Sequence, residues 1–132
     1  MRLTADTNVL VRAVLQDDPQ QAAKAAALLQ EAAQIAVPLP CLCELVWVLL
    51  KGAKLSRVDV TQAVRALSDS DKVVMNRPAV EAGLAVLAAG GDFADGAIAF
   101  EGSWLGGDVF VSFDRKAVSL LEAQGHTTRL LS

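Results

Sequence analysis

Apolar and polar positions alternate along this chain at two periods, and the changes between them mark the elements. Residues 2–5 are short enough for a first strand, and Asp6 then opens a segment with Val9, Leu10, Ala13 and Val14 at helical spacing. Asp17, Asp18 and Pro19 break it; both acids read as caps for the next helix, over residues 20–33, which is rich in Ala, Leu, Gln and Glu. Residues 35–37 form a short strand candidate before Pro38 and Pro40. Residues 41–51 read as a buried helix that Gly52 ends. Ser56 is the expected N-cap of a helix whose apolar stripe is Val60, Ala63, Val64 and Leu67. Residues 72–75 suggest a third strand, and residues 78–89 a helix closed by Gly90 and Gly91. Residues 92–105 continue as a helix with Ala94, Ala97, Ile98 and Phe100 expected inward. A strand over 109–112, a helix over 115–124 and a strand over 128–130 complete the pattern.

Short apolar strands alternating with helices predict a parallel sheet covered on both faces. The expected fold is α/β: a three-layer α/β/α sandwich around a central, mostly parallel five-stranded sheet. No repeat, linker or low-complexity tract interrupts it, so one domain is expected over residues 1–132.

Composition adds constraints. Hydrophobic residues make up 53% and charged residues 20%, enough for a core and too apolar for a disordered chain. The net charge of −3 gives no general basic field, so any binding of a polyanion must be local. Cys41 and Cys43 stand too close for an unstrained bridge and are expected reduced, in a cytoplasmic protein. The longest apolar run, residues 45–50, is far short of the ~20 that span a bilayer, so no membrane association is expected. Asp6 interrupts the start, which does not read as a secretory signal.

The acids carry the chemistry. Asp6 follows the first strand, Asp92 and Asp95 open a helix after a glycine pair, and Asp114 follows the fourth strand. In open parallel sheets, ligands collect at the carboxyl ends of strands. Each Asp alone could be an ordinary N-cap. Glu44 is different: inside the apolar run Cys41–Trp47 it is expected to be buried, which is costly without a cation. Clustered carboxylates repel unless a cation joins them, and oxygen-only donors favour Mg²⁺ or Mn²⁺ over zinc. The lone His126 is expected to have a surface or packing role. Trp47 and Trp104 fall at helical core spacing, so packing or a subunit contact is favoured over base stacking.

Four segments together carry a family likeness. Asp6-Thr7-Asn8-Val9-Leu10 after a strand, Glu44 in an apolar helix, Asp92-Phe93-Ala94-Asp95-Gly96-Ala97-Ile98-Ala99 after glycines, and Phe113-Asp114-Arg115 after a strand resemble the PIN-domain ribonucleases. The nearest likeness is to VapC-type toxins of toxin–antitoxin pairs. The resemblance implies a catalytic, metal-binding quartet of Asp6, Glu44, Asp95 and Asp114, with Asp92 alongside. It assigns Asn8 and Ser112 to orienting the carboxylates or their waters. It implies one or two Mg²⁺ or Mn²⁺ ions activating water to cleave RNA, with Glu44 positioning that water or acting as its base. Products would carry a 5′-phosphate and a 3′-OH.

Arg115, Lys116 and Arg12 are candidate contacts to the RNA backbone, with Lys51, Lys54 and Arg57 as further basic residues near the mouth. A cognate antitoxin and a homodimer are the partners that the resemblance implies. Gly96 departs from the usual alanine or other small residue; glycine weakens a helix by about 1 kcal/mol and removes no ligand. A haloacid-dehalogenase-like phosphatase is a weaker alternative, because Asn8 stands where that family has its second Asp. A non-catalytic PIN-fold module binding RNA or protein is the other.

Overall fold

A computed structural model describes all residues from Met1 to Ser132. The chain divides into two compact units, Met1–Asn76 and Arg77–Ser132.

The first unit holds three strands and four helices. These are β1 (Arg2–Thr4), α1 (Thr7–Leu15), α2 (Pro19–Glu31), β2 (Gln34–Ala36), α3 (Leu39–Trp47), α4 (Arg57–Ser68) and β3 (Val73–Val74). A π-helical turn, Val48–Gly52, extends α3. The strands form a parallel sheet in the order β1-β2-β3, with Leu3 opposite Ile35 and Ile35 opposite Val73. Ile35 is buried on the central strand.

Local chemistry sets the helix starts. Asp18 accepts the Gln21 N–H at 3.1 Å ahead of Pro19, and Ser56 accepts the Asp59 N–H at 3.1 Å. Asp17, expected to cap with its neighbour, instead pairs with Arg12 at 3.0 Å, since Asp18 already fills the cap. The far end of α2 is closed by tertiary structure. Lys72 Nζ donates to the carbonyls of Leu29 and Gln30, placing a cation at the negative end of the helix. Leu42, Leu45, Val46 and Leu49 form the inward face of α3 and its π-helical turn, and α3 packs on α1 and α4.

The second unit contains α5 (Arg77–Ala88), α6 (Phe93–Trp104), β4 (Phe110–Ser112), α7 (Arg115–Ala123) and β5 (Thr128–Leu130). β4 and β5 pair in parallel, with Phe110 opposite Thr128, and α7 packs on both. Gly90, at φ +96, turns the chain from α5 toward α6 in a backbone conformation that other residues rarely adopt. Val86, Ala99 and Leu121 form a buried cluster that Phe110 and Leu120 cover.

The α/β class stands, but the expected single five-stranded sheet is two parallel sheets of three and two strands. The strands are two or three residues long and offer few ladder positions, and each sheet closes within its own unit.

The inward face of α6 also differs from the expected one. Phe93, Gly96, Ala97 and Ala99 are buried, Ala94 and Phe100 are half-buried, and Ile98 is 57% exposed. The α5–α6 crossing explains this. A Cβ on Gly83 would sit 2.6 Å from the Phe93 ring, and one on Gly96 would overlap the Ala82 carbonyl. The backbones meet where side chains are absent, so the small-residue face turns inward and the bulkier Ile98 is left outside. Gly96 therefore serves close packing rather than loosening the start of the helix.

Candidate functional site

Asp92, Asp95 and Asp114 share one neighbourhood in the second unit. Asp92 is the N-cap of α6 and accepts the Ala94 N–H at 3.3 Å. Asp95 lies in the first turn of the same helix and is half-buried. Asp114 is the N-cap of α7 and accepts the Ala117 N–H at 3.0 Å, while its own N–H donates to Ser112 Oγ at 2.9 Å. Ser112 thus positions the residue bearing the carboxylate, in keeping with its expected role. The capping reading of Asp92 and Asp114 is correct as far as it goes: each commits Oδ1 to a helix.

Electrostatics then separates Asp95 from an ordinary helix acid. Its carboxyl is raised above the usual 3.8, first by burial, then by the negative charges of Asp92 and Asp114. A helix N-terminus by itself favours a carboxylate. Here desolvation and two like charges outweigh that, so the starts of α6 and α7 must bring their acids close together.

The first unit holds its two acids differently. Asp6 occupies the N-cap position of α1, and its carbonyl accepts the N–H groups of Val9 (3.1 Å) and Leu10 (3.3 Å). Its side chain caps nothing and is exposed. Beside it, Thr7 is only 8% exposed and its hydroxyl has no hydrogen-bond partner in the protein. Asn8 is exposed one position further on. Nothing in the sequence singled out Thr7; a threonine in a first helical turn is unremarkable until its burial is known.

Glu44 corrects the sequence reading. It is exposed, not buried. α3 turns Leu42, Leu45 and Val46 to the interior, and Glu44 lies on the opposite face. Because residues 41–50 are apolar on nearly every side, periodicity could not show which face was wet. The tryptophans need the same correction: Trp47 is 61% and Trp104 81% exposed, so neither packs in the core.

Among the basic candidates, Arg115 and Lys116 are exposed in the first turn of α7, directly after Asp114. Arg12 is held within the first unit: its Nε donates to Gln21 at 2.6 Å and its Nη1 pairs with Asp17 at 3.0 Å. His126 is half-buried, and its backbone N–H closes the turn after α7 on Leu121.

No three His, Cys, Asp or Glu side chains converge at ligand distance of one point. The fit to a hard divalent cation rests instead on donor chemistry and charge. The donors are all oxygens, Asp95 is pressed by like charge, and the buried Thr7 hydroxyl beside Asp6 awaits a partner. No helix is long and apolar enough to cross a membrane.

An α/β fold with Asp residues at strand-to-helix junctions defines a class of proteins that gather charge where helices begin. The PIN domain family model matches residues 4–120, and the chain belongs to that family. PIN domains are commonly metal-dependent nucleases and generally use divalent ions, which points to nuclease-like or RNA-binding function. A comparison with curated proteins finds no match.

Proposed function

We propose that this PIN domain is a Mg²⁺- or Mn²⁺-dependent endoribonuclease, the toxin of a VapC-type toxin–antitoxin pair. The observation that carries the reading is Asp95, whose carboxyl is raised by burial and by Asp92 and Asp114. Three acids pressed together have no structural purpose that two caps would not serve, and they have a chemical one if a cation joins them.

Asp6, Asp95 and Asp114 are the proposed ligands, with Glu44 as a further ligand or as the group that orients water and accepts its proton. A divalent ion held there would lower the pKa of its water and offset charge on the scissile phosphate. Asp92 adds negative potential beside Asp95, and Ser112 steadies Asp114 through its backbone. Asn8 would orient waters near Asp6.

Arg115 and Lys116 would hold the RNA backbone. Cations in the first turn of a helix oppose its dipole, so local stability gives no reason for them there. Arg12 would contribute only if it left Asp17 and Gln21. A cognate antitoxin segment carrying a basic side chain would be complementary to the acids, and the active form would be a homodimer.

The test is cleavage of single-stranded RNA by the purified chain with Mg²⁺ or Mn²⁺, arrested by EDTA. Products should end in 5′-phosphate and 3′-OH; a 2′,3′-cyclic phosphate contradicts hydrolysis by water. An Asp6→Asn chain that cuts as fast as the parent sinks the assignment. Co-expression with the small protein encoded beside it should silence the activity, and sedimentation reads the dimer.

A further inference from the structure

We infer that Trp47 is a stacking platform for an unpaired RNA base next to the scissile phosphate, with Lys51 taking a phosphate further along the strand. This rests on the ribonuclease reading above and assigns a substrate contact to the outer face of α3.

That face is a continuous stripe. Pro40, Glu44 and Trp47 are exposed at i, i+4 and i+7, while Leu42, Leu45, Val46 and Leu49 point inward. Lys51, also exposed, follows four residues after Trp47 on the π-helical turn, and single π-turns inside helices are often found at functional positions. The order along the stripe is acid, indole, ammonium. Glu44 and Lys51 are separated by roughly 10 Å along the helix axis, at about 1.5 Å per residue.

A single exposed apolar residue needs no explanation by itself. The argument comes from what flanks it, and the second tryptophan supplies the control. Trp104 is the more exposed, but its nearest charged neighbours along the chain are Glu101 and Asp108, both exposed acids that repel a phosphate backbone. Trp47 is followed by Lys51 and Lys54, both exposed. An indole beside cations matches a single strand, whose bases stack on aromatic faces while lysines follow the phosphates. In a chain of net charge −3, a local pairing of this kind gives RNA a foothold that the overall field does not.

The chain has two tryptophans and no tyrosine, so Trp104→Phe leaves Trp47 as the sole strong emitter. With Asp95→Asn added to halt cleavage, titration with a single-stranded oligoribonucleotide in Mg²⁺ should quench that emission in a saturable way. In the active chain, Trp47→Ala should raise KM about five- to twentyfold with kcat within about twofold, and Trp47→Phe should restore most of the loss. Emission that stays unchanged while RNA binds, or a Trp47→Ala chain with the parent's KM, overturns the proposal. So does a Trp47→Ala chain that sediments as a monomer, from a dimeric parent, at unaltered KM; the stripe is then an interface between copies. RNA cleavage by the parent with an indifferent Trp47 defeats only this inference. A parent that neither binds nor cuts RNA defeats the ribonuclease reading with it.

Discussion

The two units hold their acids in opposite ways. In Met1–Asn76, Asp6 and Glu44 are exposed; Asp6 stands at a helix start without capping it, and Glu44 lies on the wet face of α3. In Arg77–Ser132, Asp92 and Asp114 each close a helix, and Asp95 is half-buried between their charges. The second group is therefore tied to the stability of its unit, and the first is not. A substitution in the second unit must separate loss of charge from loss of a cap; in the first unit charge alone is at stake.

The largest effect that this contrast predicts is at Asp95. Asp95→Asn should slow RNA cleavage by at least about a hundredfold, as removal of a key charge from a reacting centre does. The same variant should make the metal-free protein more stable at neutral pH, because it relieves the repulsion. Asp95's carboxyl is raised when folded, so the folded state binds that proton more tightly than the unfolded state. Its contribution is fully present below the ordinary 3.8 and is lost as pH rises through the raised value. Urea titrations of the metal-free protein across that window should show the decline in the parent and a flatter profile in Asp95→Asn. Equal slopes would mean that the acids of α6 and α7 do not interact.

Next in size is the α5–α6 crossing that holds Asp95 in place. Gly96→Ala puts a Cβ against the Ala82 carbonyl and should cost about 3 kcal/mol of unfolding free energy. Gly102→Ala, six positions along the same helix, meets nothing within 4 Å and should stabilise by about 0.5–1 kcal/mol. Opposite signs within one helix would show that contact with α5, not helix propensity, governs Gly96.

The smallest effect sharpens the comparison of caps. Asp114→Ala should lower stability by about 1 kcal/mol through loss of the bond to Ala117, and Asp114→Asn should retain most of it. Asp6→Ala should lose no cap energy, since the Asp6 side chain makes no cap bond. Thermal or urea unfolding of the metal-free variants measures all three. A loss in Asp6→Ala equal to that in Asp114→Ala would erase the distinction between the units.

Much of this was legible in residue order. Helical spacing in 9–14 and 60–67 located α1 and α4, and the chemistry of Asp18 and Ser56 marked two helix starts correctly. The acids of the second unit were found from their places after glycines and after a strand. Glu44 was chosen for a reason that failed: its supposed burial. Its place in the candidate site now rests on the PIN family pattern.

The sequence by itself determined where helices and strands lie, because apolar period, caps and Gly or Pro breaks act over a few residues. It also determined that carboxylates stand at strand-to-helix junctions. Tertiary structure alone decided which face of α3 meets water, since a run apolar on nearly every side carries no usable period. It decided that Gly96 is a contact point, because only Ala82 on another helix makes a Cβ costly there. It also decided that Asp95 is a strained acid while Asp92 and Asp114 are working caps, because charge repulsion and desolvation depend on distances that residue order does not contain.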